Sequence, residues 1–474
     1  MRLRTAATAL VAATLTPFVL TVPAAHAATA AAPYDFNGDG RADLAIGAPG
    51  ATVAGKAKAG AVSVVHSGTG GPKTSTRTLL TQNTAGIPGS AEADDAFGTS
   101  VTSADLDRDG YADLVVGTPG EDTSDDTNDG VATIVWGSAS GLSGARTVHN
   151  FAHSSHDRYG LSLAAGDFDA DGHPDIAVGA TGSTLLTVVP GPITRSGAWP
   201  AGGSSHGLSG YTGSHGVPHL SSGDVTGEGF DSLVVHGRWS GGDTATQLAD
   251  ARVDNFGDWM DYLPPGQVSA VGDIDGDGHA DIAVGNDREP SADAYGALGG
   301  RVTIVYGGPE GRDGNRPEVV LTQDTAGVPG ASEAGDRFGS GLALGDVDGD
   351  GYADLAVGAA GENGGAGSVT VLYGSASGLT TKGSASFTQS TAGVPGTSEQ
   401  GDLFGTRVVL TDHTGDHRAD LSLSAPGENS GDGSVWSLRG TATGPTTTGA
   451  TSFGPAATGV STTGSPRFGT ALGG

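Results

Sequence analysis

Aspartates recur in one fixed pattern along this sequence. A nine-residue loop with Asp at positions 1, 3, 5 and 9 and Gly at position 6 is complete at residues 105–113, 167–175, 273–281 and 346–354. In such a loop alternate side chains converge, position 7 offers its backbone carbonyl and Gly permits the sharp turn, which together suit a seven-coordinate hard cation. The predicted ion is Ca²⁺, because Mg²⁺ requires a tighter octahedron and a chain without Cys or clustered His is a poor zinc or copper protein.

A fifth loop, at residues 35–43, keeps the pattern but has Asn37 at position 3. All five loops are predicted to bind structural Ca²⁺, about one ion each. The predicted ligands, with position 7 acting through its carbonyl, are Asp35, Asn37, Asp39, Arg41, Asp43, Asp105, Asp107, Asp109, Tyr111, Asp113, Asp167, Asp169, Asp171, His173, Asp175, Asp273, Asp275, Asp277, His279, Asp281, Asp346, Asp348, Asp350, Tyr352 and Asp354.

Two further loops depart from the pattern and are predicted to be weak or empty metal sites. The loop at 412–420 has His417 where the turn needs Gly. Its remaining donors are Asp412, Thr414, Asp416, the carbonyl of Arg418, and Asp420. The loop at 224–232 offers Thr226 and Glu228 and ends in Ser232 instead of Asp.

Two other interpretations of these loops fail. An EF-hand loop closes with a bidentate Glu at position 12 and runs into a helix. Position 12 is apolar in all five complete or nearly complete loops: Ile46, Val116, Val178, Val284 and Val357. An acidic surface turn explains a single match, but not five matches in the same register.

The loops occupy a fixed place in a longer repeat of short strands. In the unit starting at Phe338-Gly339, one strand ends at Gly345, the loop 346–354 follows, and further strands are predicted at 355–358, 368–373 and 384–388. Seven loop starts, 49 to 73 residues apart, define seven such units. With no sustained helical period, the chain is predicted to be an all-β, seven-bladed β-propeller over residues 28–474.

The two ends of the chain carry complementary halves of one unit. Phe468-Gly469 repeats the aromatic-Gly pair without an acidic loop after it, whereas Asp35 starts a loop with no such pair before it. Residues 470–473 are therefore predicted to form the first strand of the blade that continues after Asp35. This pairing would close the ring and leave no open sheet edge.

The aromatic-Gly pair, the acidic loop and the following Gly47-Ala48-Pro49 resemble FG-GAP repeats, the units of the amino-terminal propeller of integrin α chains. The resemblance covers nearly all of residues 28–474 and departs from the motif most between Pro190 and Pro265. It implies Ca²⁺ in hairpin loops between the first two strands of a blade. It also implies two functional precedents: adhesion and ligand recognition in integrin-like proteins, and accessory propellers of secreted hydrolases such as glycosylphosphatidylinositol-specific phospholipase D.

The first residues and the charge predict where the protein works. Arg2 and Arg4 precede an uncharged stretch that ends in Ala25-His26-Ala27, so residues 1–27 are predicted to be a signal peptide cleaved near Ala27. The apolar stretch is short for the alternative, a membrane anchor. A formal net charge of −30 disfavours nucleic acid and anionic lipid as partners. We expect a secreted, extracellular monomer without membrane insertion.

The predicted function is an adhesion or recognition module for a protein or glycan, without catalytic residues. The alternative is a secreted hydrolase or a hydrolase-accessory propeller. The stretch at 203–207, Gly-Ser-Ser-His-Gly, resembles a nucleophile elbow but is predicted to be an inter-blade loop. The irregular spacing of His206, His215, His219 and His236 favours solvated loop histidines over a metal site.

The ligand is predicted to bind on the face opposite the acidic loops. In an up-and-down blade, the loops after the second and fourth strands emerge together on that face, and they are the longest in the repeat. Their carboxylates are predicted to favour a basic or polyhydroxylated partner, unless they only keep the protein soluble. The predicted ligand-face residues are Glu92, Asp94, Asp95, Asp122, Asp125, Asp126, Asp129, Glu362 and Glu428.

Overall fold

A computed structural model of the protein describes residues 30–123, 126–151, 157–182, 185–208, 211, 213–249 and 260–474. The predicted signal peptide and Asp125 lie outside the described residues. The described chain forms seven antiparallel four-stranded sheets, which are the blades of a β-propeller. The seven-bladed all-β prediction is therefore confirmed. In the described part of the chain, no helix is long and apolar enough to cross a membrane.

The strands of each blade are ordered from the first, innermost strand to the fourth, outermost strand. Blade 1 consists of Ala471–Gly473, Leu44–Ala48, Ala61–Val65 and Arg77–Leu80. Blade 2 consists of Ser100–Ala104, Asp113–Thr118, Val131–Val135 and Ala145–Thr147. Blade 3 consists of Ser162–Gly166, Asp175–Gly179, Leu186–Val189 and Ser204–His206. Blade 4 consists of His219–Gly223, Ser232–Arg238, Thr244–Ala249 and Met260–Leu263.

The remaining blades follow the same order. Blade 5 consists of Val268–Gly272, Asp281–Asn286, Arg301–Val305 and Val319–Leu321, with a small hairpin of Gly307–Gly308 and Gly311–Arg312. Blade 6 consists of Phe338–Gly345, Asp354–Ala359, Ser368–Tyr373 and Thr380–Phe387. Blade 7 consists of Arg407–Thr411, Asp420–Ala425, Ser434–Arg439 and Thr446–Phe453. Short helical turns lie at Glu362–Gly365, Glu428–Gly431 and Pro455–Thr458.

The second strands carry the core because blades pack on both of their sides. Every residue of Leu44–Ala48, Asp113–Thr118 and Asp354–Ala359 is buried. A strand buried on both faces has a continuous apolar sequence instead of an alternating one. The outermost strands, such as Thr380–Phe387, are mostly exposed or half-buried.

The aromatic-Gly pair joins blades 2, 6 and 7 to the blade before each of them. Phe404 is fully buried and makes a parallel backbone bridge to Gly367 of the preceding blade. The next residue, Gly405, approaches Gly358 so closely that a Cβ built on Gly358 would collide with the Gly405 carbonyl oxygen. The repeat therefore needs Gly at position 358, because the backbones of two neighbouring blades meet there.

The ring closes as the sequence predicts. The last strand, Ala471–Gly473, pairs antiparallel with Leu44–Ala48, and Ile46 stands opposite Leu472. The buried Phe468 donates its backbone N–H to the Asp432 carbonyl of blade 7 at 3.0 Å. The carboxyl-terminal segment therefore completes blade 1 and holds it against blade 7.

Two faces follow from this topology. Six acidic loops join first to second strands, and the seventh, at 35–43, leads into the second strand of blade 1; all seven lie on what we call the acidic-loop face. The loops after second strands and after fourth strands lie on what we call the opposite face.

Candidate functional site: the acidic loops

Four acidic loops bring their carboxylates together. In each of them, positions 1, 3 and 9 supply one oxygen apiece, and the three oxygens lie within 4.8 Å of one another. The clustered residues are Asp105, Asp107 and Asp113; Asp167, Asp169 and Asp175; Asp273, Asp275 and Asp281; and Asp346, Asp348 and Asp354. These clusters, in matching places of four blades, could hold metal ions.

Hydrogen bonds to the backbone give each loop its shape. The carboxylate of Asp346 accepts the N–H groups of Asp350 at 3.1 Å and Gly351 at 2.9 Å. Gly351 has φ 93°, the left-handed conformation that favours glycine at position 6. The buried carboxylate of Asp354 accepts the N–H of Gly374 at 2.9 Å, which fixes the loop to the end of the third strand.

Position 5 lies outside these clusters. The carboxylate of Asp350 instead accepts the N–H of Tyr352 at 3.1 Å. The carboxylate at position 5 and the carbonyl at position 7 stay predicted ligands. The loop at 35–43 has the same internal bonds, since Asp35 accepts the N–H of Asp39 at 3.0 Å and that of Gly40 at 2.9 Å.

The electrostatics of the loops suit a bound cation. Burial, and then neighbouring carboxylates, raise the pKa of Asp113 to about 8 and that of Asp354 to about 7. One carboxylate oxygen of Asp107 and one of Asp167 are buried without a hydrogen-bond partner. An all-oxygen donor set with unused lone pairs is what Ca²⁺ requires, so the residues present fit that ion.

Among the described residues, two arginines from outside the acidic loops pair with loop aspartates, and sequence reasoning missed both. Arg195 places its Nε 2.5 Å from Asp107 and its Nη2 2.5 Å from Asp109. Arg316 pairs through its Nη1 with one aspartate, Asp275. Both arginines lie between the third and fourth strands of a blade, far along the chain from the aspartates that they contact, so no local pattern indicates them.

The two imperfect loops differ from the others in their backbone or donors. His417 adopts φ 66° at position 6, a strained conformation for a residue with a Cβ. The hydroxyl of Thr414 donates to Asp412 at 3.4 Å. In the loop at 224–232, the hydroxyl of Ser232 is buried without a hydrogen-bond partner. Both stay predicted as weak or empty sites.

Six backbone hydrogen bonds connect the seven acidic loops in series around the propeller. The N–H at position 8 of one loop donates to the carbonyl at position 1 of the preceding loop. These donor and acceptor pairs are Ala42 and Asp412, Ala112 and Asp35, Asp231 and Asp167, Ala280 and Asp224, Ala353 and Asp273, and Ala419 and Asp346, at 2.7 to 3.3 Å. Pro174 has no N–H to donate to Asp105. A metal ion in one loop would therefore also order its neighbours.

The predicted ligand-face residues that the structure describes lie in the loops of the opposite face, but several are engaged within the fold. Glu362 accepts a 2.6 Å hydrogen bond from Gln323 of the neighbouring blade, and Glu428 accepts one of 2.6 Å from Gln389. Asp95 is buried. Among the remaining described members, Glu92 and Asp122 are exposed, and Asp94 pairs with Lys58 at 2.9 Å. Asp126 is half-buried and Asp129 is buried.

Two sequence interpretations are wrong in detail. Ser204–His206 forms the outer strand of blade 3 instead of an inter-blade loop. His219 and His236 stand opposite each other in paired strands, and His236 is fully buried. These histidines are therefore strand residues and not solvated loop residues, because the fourth blade is a regular four-stranded sheet.

Comparisons with known proteins identify the repeats. The FG-GAP repeat family matches residues 27–65, 97–135, 159–198, 265–305 and 338–372. Phosphatidylinositol-glycan-specific phospholipase D of Mus musculus is 30% identical over 163 residues, which cover 34% of this chain and 19% of that protein. Integrin alpha-IIb of Mus musculus is 34% identical over 161 residues, which cover 32% of this chain and 15% of the integrin.

The aligned segments therefore span at most about a fifth of these relatives. A crystal structure of a lectin from Burkholderia pseudomallei is similar with a TM-score of 0.43 and 15% identity, covering 85% of this chain and 96% of the lectin. The repeats, their matched positions and the seven blades agree with one another. This chain carries five FG-GAP repeats within its seven-bladed β-propeller and is similar to the integrin α chains.

Proposed function

We propose that this protein is a calcium-binding β-propeller that recognises a protein or glycan ligand outside the cell. The observation that carries the calcium assignment is repetition: four blades each hold three carboxylate oxygens within 4.8 Å, in the same loop. Carboxylates at that spacing repel one another, and a divalent cation removes the repulsion. Calcium is thus a structural part of the propeller, with the loop at 35–43 as the fifth site.

The recognition role is supported by the relationship to integrin α chains and by the architecture. A rigid ring of blades presents its long loops on one face, and long loops on a rigid scaffold are where binding residues concentrate. Exposed carboxylates such as Glu92 and Asp122 lie in these loops. Residues 1–27 have the composition of a signal peptide, which supports an extracellular site of action.

A secreted hydrolase, or a propeller that serves one, is the second candidate. The alignment with phosphatidylinositol-glycan-specific phospholipase D favours it, although that alignment covers 19% of the phospholipase. The serine of the elbow-like string, Ser205, lies in an outer strand, and its hydroxyl is 3.1 Å from the Thr187 hydroxyl. A strand-to-helix elbow needs a different backbone, which weighs against this serine as a nucleophile.

Counting bound metal tests the calcium assignment. The full chain is equilibrated with Ca²⁺, and the bound metal is measured by atomic emission. We expect about five equivalents, with about one fewer in Asp107→Asn and in Asp348→Asn. The matched control is Asp94→Asn, because Asp94 lies on the opposite face. Fewer than two equivalents in the wild type, or an equal loss in the control, would contradict the assignment.

Parallel screens separate recognition from hydrolysis. The calcium-loaded chain is tested against glycan and extracellular-protein arrays and against ester, phosphodiester and glycoside substrates. We expect binding without turnover, and we expect Asp122→Asn to weaken binding without lowering the melting temperature. Turnover that survives purification would favour the hydrolase.

A further inference from the structure

A pocket of about 690 Å³ opens on the opposite face, at the mouth of the central channel. Its inner wall is built from residues at or near the start of the inner strands of blades 4 to 7: His219, Val268, Ser340 and Arg407. The end of the second strand of blade 4 and the loop that follows the second strand of blade 5 form its outer wall. Four blades therefore contribute to one cavity, well away from the acidic loops.

The pocket has a charge balance opposite to that of the whole chain. Four arginines and two carboxylates line it, in a protein of formal net charge −30. These residues are Arg238, Arg288, Arg337 and Arg407, with Asp287 and Glu289. Such a cluster of positive charge favours an anion as the ligand of the pocket.

Both carboxylates of the pocket are already engaged. Asp287 pairs with Arg337, whose Nη2 lies 2.6 Å away. One oxygen of Glu289 accepts the backbone N–H groups of Gly299 at 3.1 Å and Gly335 at 2.8 Å. Because the four arginines outnumber the two carboxylates, the formal charge of the pocket is positive.

Arg407 is the residue that most needs a counter-ion. It is partly buried, and within the described residues no carboxylate lies within 4.0 Å of its guanidinium. Its Nη1 donates to the Thr406 carbonyl at 3.3 Å. Burial, and then the neighbouring Arg337, lower the pKa of Arg407. A guanidinium in this setting is stabilised by an oxyanion, which it can bind with two parallel hydrogen bonds.

His219 adds an acceptor next to this cation. Its Nε2 lies 3.1 Å from the carbonyl oxygen of Ser269, so Nε2 carries the proton and donates it. Burial, and then Arg407, lower the pKa of His219 to about 4, which keeps the ring neutral at pH 7. Its Nδ1 is therefore a hydrogen-bond acceptor for a hydroxyl group.

We propose that this pocket binds an acidic saccharide, with the oxyanion against Arg407 and Arg288 and a sugar hydroxyl against Nδ1 of His219. A uronate carboxylate and a sulfate or phosphate ester share the required chemistry. The volume accommodates a ligand of a few sugar rings. The inference rests on the recognition role proposed above, but no residue of the pocket belongs to an acidic loop. Failure here would therefore leave the bound-metal count unchanged.

Isothermal titration of the calcium-loaded full chain tests this inference. The probes are glucuronate, glucose as the neutral analogue, and sodium sulfate as the oxyanion without a sugar. We expect glucuronate to bind at least tenfold more tightly than either of the others. Arg407→Gln and Arg288→Gln should each weaken glucuronate binding at least tenfold, and Arg407→Lys should weaken it less. The matched control is Arg439→Gln, an exposed arginine of blade 7, which should leave binding unchanged.

Several results would overturn the proposal. If glucose and glucuronate bind equally, the oxyanion does not contribute to binding. If sulfate binds more tightly than glucuronate, the pocket does not recognise the saccharide. The absence of glucuronate binding at 10 mM, roughly the weakest affinity that a specific site of this kind would show, contradicts the pocket itself. Arg288 lies outside the strands, so its variant is informative even if replacing Arg407 prevents folding.

Discussion

At the residue scale, Arg195 on the acidic-loop face gives a testable prediction about calcium affinity. Its guanidinium contacts Asp107 and Asp109, so it competes with a cation for the same carboxylates. We predict that Arg195→Gln raises the calcium affinity of the loop at 105–113 by about twofold to fivefold, the range of a solvent-screened ion pair. Terbium luminescence sensitised by Trp136, which lies 5.6 Å from the Arg195 guanidinium, reports on this loop. Unchanged or weaker affinity, with Arg439→Gln as the control, would count against the competition.

His236 gives a second residue-scale prediction, concerning pH. Burial, and then His219, lower its pKa to about 3, whereas an unfolded chain titrates near the usual value of about 6.5. The stability that His236 contributes is therefore present above pH 6.5 and is lost as the pH falls below it. Between pH 7.5 and 5.0, the wild type should lose about 2 kcal/mol more unfolding free energy than His236→Gln in calcium. Equal losses in denaturant titrations would contradict this.

Much of the site at this scale is predictable from the sequence, because its backbone hydrogen bonds are local. Asp346 and Gly351 are five residues apart, and spacing alone indicates their contact. Bonds between blades are different. Gln323 donates a hydrogen bond to Glu362 of the next blade. The Thr-Gln pair that recurs after fourth strands is the sequence pattern that could have indicated this contact. Arg195 and its counterpart Arg316 follow the third strands of their blades at different distances along the chain, so only the fold reveals their role.

At the scale of elements, the FG-GAP motif works through close backbone contact. We predict that Gly358→Ala lowers the unfolding free energy by about 1–3 kcal/mol, because the new methyl group would collide with the Gly405 carbonyl. Gly314→Ala is the matched control, since open space surrounds that position, and its change should stay within about 0.5 kcal/mol. Chemical denaturation in calcium measures both. Equal effects would show that blade contact does not depend on this glycine.

Strand prediction succeeds where apolar runs are long and fails where they are short. The strand predicted at 368–373 is observed as Ser368–Tyr373. The histidine-containing strands of blade 4 escape prediction because their burial comes from neighbouring blades. His236, for example, is satisfied by the Gly266 carbonyl at 3.0 Å and the Ser269 hydroxyl at 2.8 Å. These partners lie 30 and 33 residues from His236 along the chain, so the local periodicity of the sequence does not indicate them.

At the scale of the whole molecule, closure of the ring depends on three paired residues. We predict that deleting residues 465–474 lowers the melting temperature and exposes blade 1 to protease, because Leu44–Ala48 loses its inner partner. Deleting Gly474 alone is the matched control, because the last paired residue is Gly473. A ten-residue truncation that melts and resists protease like the control would refute closure by this strand.

Calcium as a structural part of the whole ring is the central claim, and a thermal melt with and without chelator tests it most directly. Each site that binds only the folded state adds about 2.7 kcal/mol at a hundredfold excess of Ca²⁺ over its Kd. Five sites in a chain of 474 residues should raise the melting temperature by roughly 10 °C or more over the chelated protein. Asp348→Asn should lose part of that increase. A melting temperature unchanged by chelator would contradict the claim.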